Sequence, residues 1–354
     1  MTWTEIDWAI LERLRRRFLE GDFAGAPYWE DEADLANYDF TYGERIGWKW
    51  DQVLRELRLR RWSPRRATGV PPPDPPGATT EPVPIVDWAC GSGVASRRVI
   101  AGFGAAAFSS LTLWDHSPLA CDFAAAAARR AFPQLTVAQA TPGFLASREP
   151  IGLLVVSHVL NELPPEALAA LRAMIDRADS VLWVEPGTAA ISRQLGVIRE
   201  GALSQGFHPV APCTHAAACP IFAAGNERHW CHFFAPPPPE IFLDSHWVKF
   251  GQRAGLDLRS LPYSFLALDR QEPEPLPAGA SRVLGRVEHF KPYARLLNCD
   301  AAGLTALELP KRADPALCKQ LERTRAPLLA RWERKNNRIS GGALISLPSS
   351  HSGE

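Results

Sequence analysis

Three cysteines fall close together, Cys213 and Cys219 in "APCTHAAACP" and Cys231 in "ERHWCHFF". Thiolates are soft ligands, and a tetrahedral metal site takes about four of them, or histidines in their place. Cys299, in "YARLLNCDAAGL", offers a fourth thiol from far along the chain, and His215, His229 and His232 are the nearer alternatives. Pro220 directly after Cys219 suits an iron–sulfur site, while ligand type alone leaves zinc open. Cys90, Cys121 and Cys318 read as small buried hydrophobes.

A second constellation lies in "VDWACGSGVASRRVI". Asp87 ends a β-rich run, and Gly91 and Gly93 before a helix let the backbone turn tightly and approach a nucleotide-like ligand. Ala95 and Ser96 stand where a dinucleotide fingerprint wants its third glycine, which counts against NAD. Asp115 ends "LTLWD", placed to accept hydrogen bonds from two ribose hydroxyls. Ala89, His116 and Ser157 complete the expected cofactor set. In "SHVLNEL", His158, Asn161 and Glu162 are the polar residues placed to face an acceptor, and each serves equally well as a helix cap or loop anchor.

These residues need a frame at strand ends. Short β-rich runs ("PIVDWA", "SLTLWD", "QLTVAQ", "IGLLVVS", "SVLWVE", "FLALD") alternate with helical ones ("PLACDFAAAAARRAF", "PPEALAALRAMIDRA", "AAISRQLGVIREGALSQG"). That alternation predicts an α/β fold, a doubly wound Rossmann-like sheet. Residues 1–68 carry helical periodicity and read as a helical N-terminal region, 69–83 as a proline-rich linker, 84–272 as the core, and 273–354 as a small basic region. The cysteine-rich segment, 208–235, is read as a metal-binding insertion in that core.

Glycine loop, second-strand acid and alternating elements together resemble the class I S-adenosylmethionine-dependent methyltransferases. The stretch "VEPGTAAISRQLGVIREGALSQGFHPVAPCTHAAACP", with "WCHFF" and "LLNCD", resembles the methyltransferase-like family associated with the small ribosomal subunit in mitochondria and bacteria. The likeness runs from about Ile85 to Lys311. It implies S-adenosylmethionine as cofactor and a four-iron four-sulfur cluster on Cys213, Cys219, Cys231 and Cys299. It also implies action during small-subunit assembly with contact to ribosomal RNA. The N-terminal region and the tail after about residue 312 depart from the family pattern.

Methyl transfer is an in-line displacement that mainly needs its acceptor well placed, so no strong catalytic signature is demanded. Three readings stay open: a methyltransferase acting on rRNA or a ribosomal protein, a non-catalytic assembly factor, and a small-molecule methyltransferase. Zero formal net charge gives the molecule no long-range field toward nucleic acid. Residues 282–338, however, hold thirteen Lys/Arg against six Asp/Glu, so any RNA contact is expected there. No apolar run reaches a membrane span, and the acidic N-terminal stretch fits neither a secretory nor a transit signal. A monomer in a reducing bacterial cytoplasm is the expectation.

Overall fold

The run Ile151–Ser157 is apolar until its last residue, as a strand covered on both faces requires. It lies at the centre of a sheet in the computed structural model of the chain, which describes residues 1–20, 28–65, 81–324 and 328–345. Helices α1 (Trp8–Glu20), α2 (Glu32–Tyr38) and α3 (Glu44–Leu59) come first, the last two joined by a π-helical turn at Asp39–Gly43. Strands and helices then alternate: β1 (Val83–Trp88), α4 (Val94–Phe103), β2 (Phe108–Trp114), α5 (Pro118–Ala131), β3 (Thr136–Gln139), α6 (Pro142–Ala146), β4 (Ile151–Ser157), α7 (Pro165–Arg177), β5 (Ala178–Pro186) and α8 (Ala189–Ser204). Short strands β6 (His208–Ala211) and β7 (Phe233–Ala235), helix α9 (Ser245–Ala254) and strand β8 (Leu261–Asp269) complete this part.

The sheet runs β3-β2-β1-β4-β5-β8-β6, parallel up to β5, with β8 antiparallel to β5. The strand order reverses between β1 and β4, so the crevice for a ligand lies at the carboxyl ends of these two strands. This is the expected doubly wound, Rossmann-like α/β sheet. β6 and β7 both pair with β8, one with each half, as pieces of a single interrupted edge strand. The cysteine-rich segment is what interrupts it. Helices α7 and α8 pack on one face of the sheet, and the N-terminal helices, with α4, α5 and α9, on the other. Buried Trp48, Trp50, Val53, Leu54 and Leu57 of α3 belong to the same core as Ile85 and Val155.

Residues 69–80 of the expected linker lie outside the described residues, and β1 already begins at Val83.

The basic C-terminal region is a barrel. Strands β9 (Ala280–His289), β10 (Tyr293–Asp300), β11 (Gly303–Pro310), β12 (Leu329–Lys335) and β13 (Arg338–Leu344), with helix α10 (Pro315–Arg323) between β11 and β12, close in the order β9-β10-β11-β13-β12. Only β11 and β13 pair in parallel. This Greek-key topology is that of the oligonucleotide/oligosaccharide-binding (OB) fold. Its interior holds Val283, Leu296, Leu307, Leu309 and Ile339, joined by Leu317, Cys318 and Leu321 of α10.

Sheet, N-terminal helices and barrel meet at a buried charge cluster. Glu56 of α3 pairs with Arg60 at 2.9 Å and with Arg282 of β9. Arg60 donates to the carbonyls of Pro212 and Cys213, each at 2.8 Å, and Arg282 to that of Pro212 at 3.1 Å. Arg282, one of the thirteen cations counted above, is therefore committed to the interior.

Candidate functional site

A cavity of about 470 Å³ opens at the carboxyl ends of β1 and β4, within the range of small-ligand sites. Its floor is the turn after β1. Gly93, at φ 74°, caps α4 so closely beneath α5 that an added Cβ would come within 2.8 Å of the Ala124 Cβ. Ala89 holds a left-handed conformation at φ 58°, which costs an L-residue about 1–2 kcal/mol. Asp87 is fully buried below the turn, where its Oδ2 accepts from the Ser96 hydroxyl at 2.6 Å. Burial raises its carboxyl to about 7.

Of the residues expected to bind a cofactor, Ala89, Gly91, Asp115, His116 and Ser157 line the cavity. Asp87 and Gly93 are not among its lining residues: they shape the turn from behind. Asp115 accepts from the Gly91 amide and the Ser117 amide, both at 2.9 Å, so the second-strand carboxylate fixes the glycine turn as well as facing the cavity. Trp88 and Trp114 stack at 4.5 Å beside it.

His158, Asn161 and Glu162 also line the cavity. Glu185, at the end of β5, shapes their turn by accepting from the Val159 and Leu160 amides and from the Trp183 indole. Burial and then the nearby Glu185 and Asp115 carboxylates push Glu162 up to about 8. His158 sits at φ 55°, a second strained position on the same wall. Burial, reinforced by Lys49 and Arg45, holds its imidazole neutral.

Sequence reasoning missed the roof. Phe18, Tyr28, Trp29, Tyr38, Tyr42, Arg45 and Lys49 of the N-terminal region all line the cavity. Lys49 Nζ lies 2.9 Å from His158 Nε2, and the Trp50 indole donates to the Ser157 hydroxyl at 3.0 Å, itself 3.2 Å from His158 Nδ1. Burial and then Arg45 bring Lys49 down to about 7. Among the described residues, the buried Arg45 Nε has no hydrogen-bond partner. The available signal was a lysine on the apolar stripe of α3, flanked by Trp48 and Trp50.

The four cysteines expected as metal ligands lie in one neighbourhood. Cys213, Cys219 and Cys231 line one small cleft between α8 and β8. Cys299, on β10, is close enough that charge on Cys213 and Cys219 raises its thiol, after burial. Burial and then Cys213, Cys299 and Cys219 raise Cys231 in the same way. The Arg199 Nε donates to Cys213 Sγ at 3.2 Å. Among the described residues, no group of three or more His, Cys, Asp or Glu is arranged as a metal cage. Nor is any helix among them long and apolar enough to cross a membrane.

Several solved structures are similar to the chain at low identity and low TM-score. Magnesium protoporphyrin IX methyltransferase from Synechocystis, with bound S-adenosylhomocysteine, is 13% identical, with TM-score 0.36 over 73% of this chain and 93% of that one. A ribosomal protein L11 methylase from Lactobacillus delbrueckii is 13% identical, with TM-score 0.32 over 62% of this chain and 77% of that one. TrmK from M. capricolum is 7% identical, with TM-score 0.32 over 57% and 68%. No curated protein matches the chain. The family model described as mitochondrial small ribosomal subunit Rsm22 matches residues 82–300, more than half of the 354 residues, and the chain belongs to the Rsm22 family.

Proposed function

We propose that the chain binds S-adenosylmethionine in the roofed cavity and acts on, or assembles, the small ribosomal subunit through contact with its rRNA. The observation that carries the cofactor reading is Asp115, half-buried directly after β2, facing the cavity and tied to Gly91. Its remaining lone pairs suit the ribose hydroxyls. The Arg45 guanidinium suits the cofactor carboxylate, and the Glu162 carboxyl on the wall favours a cation once ionised. An acceptor's proton would pass to the hydrogen-bonded pair of Lys49 and His158, whose basicity burial lowers in both members. A factor that holds cofactor and RNA without turnover uses the same cavity and differs only in that step.

Cys213, Cys219, Cys231 and Cys299 would hold a four-iron four-sulfur cluster, with zinc as the alternative. Four thiols drawn from two segments support this reading, with the Arg199 guanidinium beside one sulfur to offset thiolate charge. Such a cluster would supply cross-linking, and metal binding then becomes folding energy. The chain's own contribution is to bring β10 of the barrel against the interrupted edge strand.

Asp115→Ala should weaken S-adenosylmethionine binding at least tenfold by calorimetry, since charge-assisted hydrogen bonds contribute about 1.5–3 kcal/mol each. Unchanged affinity would remove the cofactor assignment. Anaerobically purified protein should carry about four irons. Cys213→Ser should lose them and expose the region after residue 205 to protease, whereas Cys121→Ser should do neither. Stoichiometric zinc without iron would overturn the cluster and keep the thiolate site.

A further inference from the structure

One end of the barrel carries an aromatic and cationic platform that neither the cavity nor the cysteines use. The β9–β10 turn presents Phe290, 39% exposed, with its ring stacked on Tyr293 at 4.8 Å and 30°. The Arg295 guanidinium lies 5.2 Å from the Phe290 centroid and 5.7 Å from that of Tyr293, and donates to the Tyr293 hydroxyl at 3.0 Å. Alternation along β10 turns Ala294 and Leu296 into the barrel and Tyr293 and Arg295 outward. Across the sheet Arg295 faces Glu308, whose other neighbour is Arg338, and the Glu308 amide donates to the Asn337 carbonyl. The β12–β13 turn therefore borders the same face.

The charges around it are mixed but lean positive. Lys291, Arg334, Lys335 and Arg338 are exposed. Arg334 lies 3.4 Å from Asp300, Arg295 is within 4.0 Å of Glu288 and Glu308, and Lys311 pairs with Glu322. OB barrels bind ligands on the face of their second and third strands, between the first and fourth connecting loops. Those elements are here the Phe290 turn, the Asn336 turn and the ends of β10 and β11 at Tyr293, Arg295 and Glu308; farther along, Leu297, Cys299 and Leu304 pack against the sheet core, so this end is the open part of the face. A base can stack on an exposed ring only when it is not already stacked within a duplex.

We propose that this face binds single-stranded RNA, with bases stacking on Phe290 and Tyr293 and phosphates following Lys291, Lys335 and Arg338. The inference rests on the rRNA-contact reading and names the form of RNA and the surface. Sugars and other anionic polymers are the competing ligands. RNA fits better because the platform pairs aromatic rings with lysines and arginines, matching bases that alternate with phosphates.

The test uses the full chain and a labelled single-stranded RNA of about twelve nucleotides, a length in the range one OB barrel covers. Its affinity, followed by anisotropy, is compared with that for a duplex of the same sequence. The single strand should bind at least tenfold tighter than the duplex. Phe290→Ala and Tyr293→Ala should each weaken it about tenfold at unchanged salt slope, since stacking carries no counterion. Phe290→Trp should restore binding. Lys335→Ala with Arg338→Ala should reduce the slope of log affinity against log salt by about 1.4, at about 0.7 per phosphate contact. Equal affinity for duplex, wild-type binding by the Phe290→Ala/Tyr293→Ala double variant, or equal competition by heparin that ignores Phe290→Ala would overturn the proposal while leaving RNA contact standing. Failure of the wild-type chain to bind either RNA would overturn both.

Discussion

The cavity of the sheet and the outer face of the barrel are built on opposite principles. In the cavity the polar groups are desolvated, so Glu162 is raised to about 8, Lys49 is lowered to about 7 and His158 stays neutral. On the barrel Lys291, Lys335 and Arg338 stand in solvent. A desolvated site selects a ligand of one shape and charge and responds to pH. An open cationic face responds to ionic strength and accepts many sequences. Under the proposed function one chain would thus separate recognition of a small cofactor from recognition of a polymer.

The largest effect is expected where the two regions join. Arg282→Ala leaves the Glu56 carboxylate buried with only Arg60 beside it, at a cost of about 3–5 kcal/mol. Chemical denaturation should then show the barrel releasing before the sheet. A single transition of unaltered midpoint would mean that the regions are not coupled through this cluster.

A middle-sized effect separates the two regions by pH. The Glu162 pKa is raised by folding, so its protonated carboxyl contributes stability that is full below the ordinary carboxylate range and is lost as pH rises through about 8. A cationic cofactor prefers the ionised form. Its affinity should therefore rise roughly tenfold between about pH 7 and pH 9, helped by loss of the Lys49 proton near the lower limit. Glu162→Gln should flatten most of this in calorimetry, and RNA binding by the barrel should not follow it.

The smallest effect sharpens the account of the cavity floor. Ala89→Gly relieves about 1–2 kcal/mol of left-handed strain and loses about 0.4–1 kcal/mol to the greater freedom of the unfolded chain. The net should be a gain of between zero and about 1.6 kcal/mol in unfolding free energy, read as a higher denaturation midpoint. A loss would show that the Ala89 methyl packs usefully against the cavity.

The sheet could be read from sequence because its strands are apolar runs and its helices have caps or prolines at their first turns, as at Ser117–Pro118 and Pro164–Pro165. β4 and α5 fall within a residue of where periodicity places them. β6 and β7 escaped because four and three residues are too few to show a period. The barrel escaped for a different reason. The alternation of Tyr293, Arg295 and Leu297 against Ala294 and Leu296 is present, but the high charge of the region was read as a patch instead of as the outer faces of strands. Lys49, Arg45 and Trp50 could not be placed at the site, because nothing local relates α3 to a strand a hundred residues later. Glycine turn, Asp115 and the "SHVLNEL" segment were readable because each sits at a strand end whose position the fold class dictates.

The interrupted edge strand has a bearing on how the molecule avoids its own kind. A sheet edge with an uninterrupted row of free amides and carbonyls is a template for another chain, and such edges drive aggregation. Here the outer neighbour of β8 is two short pieces, and between them the backbone leaves the sheet for the cysteine cleft. β7 is then covered by β9 of the barrel, through the Gly285 amide bonded to the His232 carbonyl at 2.9 Å. The segment that gathers the thiols thereby also keeps the sheet from growing, so its loosening should be felt first as self-association rather than as unfolding.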